Sequence, residues 1–187
     1  MAEGSITVVI GGSRSGKSRF AEGLVAESKR PVVYLATCRT EGLDDEMLAR
    51  IDTHRKYRPS HWATIENQFD LEKIARDCSG KTLLVDCLTL WLSNELGECA
   101  DQEAILQRLE KGLDAMVREG VDAVIVSNEL GMGIVPIGRS VREYRDLVGR
   151  ANQLAAGKAQ HVYWTVAGIP VKLKHNGKLC DLNTVDS

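Results

Sequence analysis

Short β-branched runs alternate with longer stretches of helical spacing along most of the chain. Residues 6–10 (Ile-Thr-Val-Val-Ile) read as a buried strand, and Phe20, Leu24 and Val25 fall on one side of a helix over 18–26. Residues 31–37, 82–86, 123–127 and 161–167 repeat the strand signature, with apolar centres as parallel strands have. Between them, residues 44–55, 88–96, 102–119 and 141–156 read as helices, the last with Val141, Leu147, Val148, Ala151, Leu154 and Ala155 apolar. Residues 169–173 read as a short edge strand, a position that tolerates Pro170. Strand and helix in alternation imply parallel pairing with helices on both faces, an α/β fold. The expectation is one domain over residues 1–174 and a polar, loose tail over 175–187.

The residues joining the first strand to its helix turn this from a fold into a chemistry. Gly11-Gly12-Ser13-Arg14-Ser15-Gly16-Lys17-Ser18 is G-x-x-x-x-G-K-[ST], the phosphate-binding P-loop, in the strand–loop–helix context that the motif requires. It narrows the expected architecture to a three-layer P-loop NTPase-type fold with a mainly parallel central sheet. Its glycines let backbone N–H groups turn in on phosphates. Lys17 would reach the β- and γ-phosphates of GTP or ATP, and the Ser18 hydroxyl would sit on Mg²⁺. The strand over 82–86 ends in Asp86, which suits either a Mg²⁺ carboxylate or a cap on the next helix. Asn128 and Glu129 end the fourth strand, where a parallel sheet opens its ligand crevice; they suit that crevice or a cap on Leu130-Gly131-Met132-Gly133.

Composition adds bounds. The chain has 187 residues, enough for one α/β domain with a real core. A net charge of −2 carries no whole-chain signal for nucleic acid or an anionic membrane. Met1-Ala2-Glu3-Gly4-Ser5 lacks a basic n-region and an apolar h-region, so no signal peptide is expected. No apolar run is long enough for a bilayer. Five cysteines, odd in number and without C-x-x-C, read as reduced thiols and point to the cytoplasm.

Residues 44–66 concentrate charge. Asp44, Asp45 and Glu46 suit a helix start, Met47, Leu48 and Ile51 its buried side, and His54 and Arg55 its C-terminal end. A charged helix end is one reading. The other takes Arg55, Lys56 and Arg58 as a triphosphate cluster and His54 as a nucleophile toward phosphorus. Nearby cations would lower the His54 pKa and keep the imidazole neutral.

The sequence resembles the adenosylcobinamide kinase / adenosylcobinamide-phosphate guanylyltransferase family of cobalamin biosynthesis. The resemblance rests on the P-loop with Arg19-Phe20-Ala21-Glu22, on Tyr34-Leu35-Ala36-Thr37, on Asp44-Asp45-Glu46-Met47 and on Arg58-Pro59 with His61-Trp62 and Glu66. It extends through Ser127-Asn128-Glu129-Leu130-Gly131-Met132-Gly133-Ile134-Val135-Pro136, Gly149-Arg150-Ala151-Asn152-Gln153 and Ala167-Gly168-Ile169-Pro170-Val171-Lys172. It implies phosphorylation of the aminopropanol hydroxyl of adenosylcobinamide, then transfer of GMP from GTP through a guanylyl-histidine. The family nucleophile maps to His54, with Thr53 in the neighbouring position and His61 as the other histidine of the segment. Nucleotide contacts map to Gly11–Ser18, Cys38-Arg39-Thr40, Tyr57-Arg58-Pro59-Ser60, Glu66 and Asp86. The resemblance further implies a homotrimer. Without it, the residues would also fit a P-loop kinase or NTPase with no nucleotidyl transfer, or a GTP-binding regulator.

Overall fold

The computed structural model describes residues 3–39, 44–46, 49, 51–52, 55 and 58–181. Among them, eight strands run in chain order as β1 (Ser5–Gly11), β2 (Val32–Ala36), β3 (Ala63–Glu66), β4 (Thr82–Asp86), β5 (Asp122–Asn128), β6 (His161–Val166), β7 (Ile169–His175) and β8 (Lys178–Leu179). The helices are α1 (Lys17–Ala26), α2 (Leu71–Asp77), α3 (Leu88–Glu98), α4 (Gln102–Arg118) and α5 (Arg139–Lys158). Asp45, Glu46, Ala49, Ile51, Asp52 and Arg55 are also helical. The strands form one sheet in the order β3-β2-β4-β5-β1-β6-β7-β8. Every pairing from β3 to β6 is parallel, and β7 and β8 add on antiparallel.

The sheet is covered on both faces, and alternation along each strand shows it. Ile6, Val8, Val33, Leu35, Leu83, Val85, Ala123 and Ile125 enter one core, with Leu71 and Ile74 of α2, Trp91 of α3, Leu109 and Leu113 of α4, and Leu147 of α5. Val9, Tyr34, Leu84, Val124 and Val126 enter the other, under Ala21 and Val25 of α1 and under Trp62. Strands buried on both faces read as continuous apolar runs, which is why the sequence marked them clearly. The result is the three-layer α/β architecture expected.

Three features differ from expectation. β3 has only four residues, of which Ile65 alone is half-buried against the core, so it carries no periodic apolar signal. α2 is one short helix, buried through Leu71, Ile74 and Ala75 and capped by Asp70, whose carboxylate accepts from the Lys73 amide at 3.0 Å. The loose end expected from His175 is, up to Leu179, part of a hairpin: β7 runs to His175 and β8 pairs with its outer side. Among the described residues, no helix is long and apolar enough to cross a membrane.

Candidate active site

β1 delivers the chain to the P-loop at Gly11. A Cβ on Gly11 would lie 2.5 Å from the Ser15 Oγ and 2.6 Å from the Thr165 carbonyl, so only glycine fits beneath the loop. The turn is completed by left-handed Arg14 (φ 57°) and Gly16 (φ 92°). Gly16 caps α1 without any side-chain bond, leaving the first-turn N–H groups of the helix for an anion. The Lys17 ammonium folds back onto the Gly12 carbonyl at 3.1 Å. Burial holds its pKa below the ordinary lysine value, against the opposing influence of Cys87 and Asp86.

Asp86 ends β4, separated from β1 by β5 alone. It does not cap α3, whose N-cap is Cys87. Instead its carboxylate accepts a 2.6 Å hydrogen bond from the Tyr34 hydroxyl. Burial, and then the Asp86 charge, push the Tyr34 pKa well above the ordinary tyrosine value. The Arg58 guanidinium lies 3.5 Å from the centre of the Tyr34 ring and donates to the Thr64 hydroxyl at 2.9 Å. Arg55 forks onto Glu66, with bonds of 2.8 and 2.9 Å from one nitrogen. Lys17, Ser18, Tyr34, Arg55, Arg58, Glu66, Asp86 and Asn128 all line one cavity of about 260 Å³.

The sequence profile of the family described as cobinamide kinase / cobinamide phosphate guanyltransferase matches residues 7–173. The chain belongs to this family. It is 43% identical over 169 residues to the bifunctional adenosylcobalamin biosynthesis protein CobP of Pseudomonas aeruginosa, covering 89% of this chain and 96% of that protein. It is 40% identical over 181 residues to the bifunctional adenosylcobalamin biosynthesis protein CobU of Escherichia coli K12, covering 89% and 98% respectively. Among solved structures, the PH0250 protein of Pyrococcus horikoshii OT3 superposes with a TM-score of 0.58 at 12% identity, over 97% of this chain and 94% of its own. That likeness concerns the fold alone, which is of the P-loop NTPase type.

The chain gathers some of its sequence-marked residues and disperses others. Lys17, Ser18, Cys38, Arg58, Glu66 and Asp86 share the cavity. Pro59 and Ser60 line an adjoining surface depression, together with Arg55, Arg58 and Glu66. Arg39 turns elsewhere: its guanidinium pairs with Glu98 and stacks 4.7 Å from the Phe69 ring centre. His61 is exposed, its ring 6.4 Å from that of Trp62. Thr40, Thr53, His54, Lys56 and Tyr57 lie outside the described residues, although Ile51 and Arg55, to either side of His54 in sequence, line the cavity. Asn128 lines the cavity, whereas the Glu129 carboxylate accepts from the Gly131 amide and so caps its own turn.

The sequence marks Tyr34 as a strand residue and as part of the family resemblance, but nothing in it points to the bond with Asp86. Its signal lies in register: Ala36 pairs with Asp86 across β2 and β4, and Tyr34 is two residues back on the same face.

Proposed function

We propose that this protein phosphorylates the aminopropanol hydroxyl of adenosylcobinamide with a nucleoside triphosphate, and then transfers GMP from GTP to the resulting phosphate. The observation that carries this reading is the family match over residues 7–173, together with one cavity that unites P-loop Lys17 and Ser18 with Asp86. In the kinase step the γ-phosphoryl group passes to the substrate hydroxyl and the nucleoside diphosphate leaves. Lys17 neutralises the developing charge, and the P-loop amides hold the β-phosphate in line. The hydroxyl of Ser18 and the carboxylate of Asp86 form an all-oxygen donor set that fits Mg²⁺. Bound there, Mg²⁺ would neutralise phosphate charge.

For guanylyl transfer the reading assigns His54 as nucleophile. A neutral imidazole nitrogen attacks the α-phosphorus of GTP, the bond to the β-phosphate oxygen breaks, and pyrophosphate departs. The cobinamide phosphate then attacks the phosphoramidate, freeing His54 and yielding adenosyl-GDP-cobinamide. Arg58 supplies a cation at the cavity wall, while Arg55 is already neutralised by Glu66. The protein works as a homotrimer in the cytoplasm, without nucleic acid, on this reading; its five free thiols support a reducing compartment.

Mass spectrometry after incubation with GTP and Mg²⁺ tests the proposal. A one-GMP mass increase on His54 is expected, lost in His54→Ala while cobinamide phosphorylation partly survives. An unchanged adduct in His54→Ala would reassign the nucleophile. No adduct in the wild-type protein would remove the second activity.

A further inference from the structure

A second concavity, of about 430 Å³, adjoins the P-loop on the other side of α1, lined by Gly16, Arg19, Phe20, Gly23, Leu24, Glu27 and Gly168. At 100° per residue, its α1 residues and the pair Lys17 and Ser18 face directions roughly 140° apart. The two clefts therefore share the P-loop but not a wall. From this placement we infer that the purine base of the nucleotide used in the kinase step lies in this second cleft, so that the first cavity stays open to the acceptor hydroxyl. The inference rests on the phosphoryl-transfer reading above.

Four observations carry it. The first is room: a cavity of about 260 Å³ that would have to hold the reacting phosphates has little space for both a nucleoside and the arm of the acceptor. The second is shape. Gly23 leaves a gap in the wall of α1 with nothing within 4 Å of an added Cβ, and Phe20 and Leu24 flank it with apolar surface. Phe20 is fixed edge-on against Tyr163, ring centres 4.9 Å apart, which gives a rigid aromatic edge. The third is reach. Gly16 to Gly23 spans roughly 10 Å of helix at 1.5 Å per residue, comparable with the separation that an α-phosphate and ribose put between β-phosphate and base. Arg19 falls between those positions in sequence and lines the cleft, where it can meet an α-phosphate, and the Glu27 carboxylate adds acceptors to the lining.

The fourth is the turn between β6 and β7. The Gly168 amide donates to the Ser15 carbonyl at 2.8 Å. A Cβ on Gly16 would stand 3.1 Å from the Gly168 Cα. Ala167 and Gly168 both take left-handed conformations there, with φ 52° and 82°. The hairpin thus fastens one wall of the cleft to the phosphate cradle, so base and phosphates would be read by one rigid unit.

Equilibrium dialysis of the full chain with Mg²⁺ decides the matter without turnover. The probes are adenylyl imidodiphosphate, its guanylyl counterpart and inorganic tripolyphosphate, which has no base. Gly23→Leu fills the gap at a solvent-facing helical glycine, where a side chain favours the helix and folding is not at risk. The variant should weaken at least one nucleotide analogue by about tenfold or more and leave tripolyphosphate within about twofold of wild type. Unchanged binding of both analogues would overturn the inference. So would an equal loss for tripolyphosphate, which would mark a distorted P-loop rather than a blocked base. Failure of the wild-type protein to phosphorylate cobinamide counts against the function above, whereas the dialysis comparison judges the base cleft alone.

Discussion

The hydrogen bond from Tyr34 to Asp86 sets the state of the carboxylate that faces Lys17 and Ser18 in the cavity. Tyr34 is 4% exposed, so its hydroxyl relies on the carboxylate rather than on water. Tyr34→Phe should destabilise the free protein by about 1–3 kcal/mol, the cost of leaving a charged acceptor short of a donor. With Mg²⁺ and adenylyl imidodiphosphate bound, the carboxylate gains a cation and the loss should shrink. Urea unfolding with and without ligand measures both, and an equal loss in the two states would take Asp86 out of the metal site. Lys17 gives a pH signature of the opposite kind. Burial lowers its pKa in the folded state, so the unfolded chain holds this proton to higher pH than the folded one. Its charging opposes folding at low pH, and that penalty is relieved as pH rises through the lowered value toward the ordinary 10.5. Nucleotide phosphates reverse the shift by pairing with the ammonium. Binding should therefore take up protons in alkaline solution and weaken as pH climbs through the lowered pKa. Calorimetry in two buffers of different ionisation enthalpy reads the uptake, which should vanish in Lys17→Met.

Among the secondary elements, the contact between α2 and α4 holds the layer beneath the site. Gly112 of α4 meets Leu71 of α2 so closely that an added Cβ would lie 2.4 Å from the Leu71 Cβ. Two effects of Gly112→Ala oppose each other. Helix propensity favours alanine by about 1 kcal/mol, and overpacking costs about 1–3 kcal/mol. Leu71 is 5% exposed and packed against the main core, so the second effect should win and the variant should melt at a lower temperature. Gly112→Ala combined with Leu71→Ala should show a coupling energy that restores part of the loss from the first change. A melting temperature that holds steady in Gly112→Ala would mean that α2 shifts outward at little cost. This contact also explains why α2 escaped the sequence reading. Leu71, Ile74, Ala75 and Cys78 do recur at helical intervals, but over less than two turns the pattern is no stronger than chance, and the partner glycine lies far along the chain. β3 was invisible for a different reason: of its four residues only Ile65 turns toward the core, and one apolar position cannot set a period.

Across the whole molecule, what was legible is what is local. The P-loop, its strand and its helix are contiguous in sequence, and Asp86 closes an unmistakably apolar strand. The pairs Tyr34–Asp86 and Arg55–Glu66 depend on how β2, β3 and β4 align, and the second cleft depends on a hairpin turn folding back from residue 168 onto residue 15. No local spacing encodes such contacts. The same holds for the surface beyond the site, where Met132, Ile134, Val135 and Ile137 follow β5 with Val141 at the start of α5, all strongly exposed. Five exposed large apolar side chains within ten residues of sequence favour a partner, and the homotrimer proposed above would supply one. Light scattering should then give three times the 20.5 kDa chain mass. Replacing Ile134 and Ile137 together by Asp should reduce it to the chain mass, with far-ultraviolet dichroism unchanged because neither side chain packs inside the subunit. A trimer that survives the double substitution would move the contact elsewhere on the surface. A wild-type mass of one chain would remove the trimer altogether, and the exposed loop would then have to find its partner outside this protein.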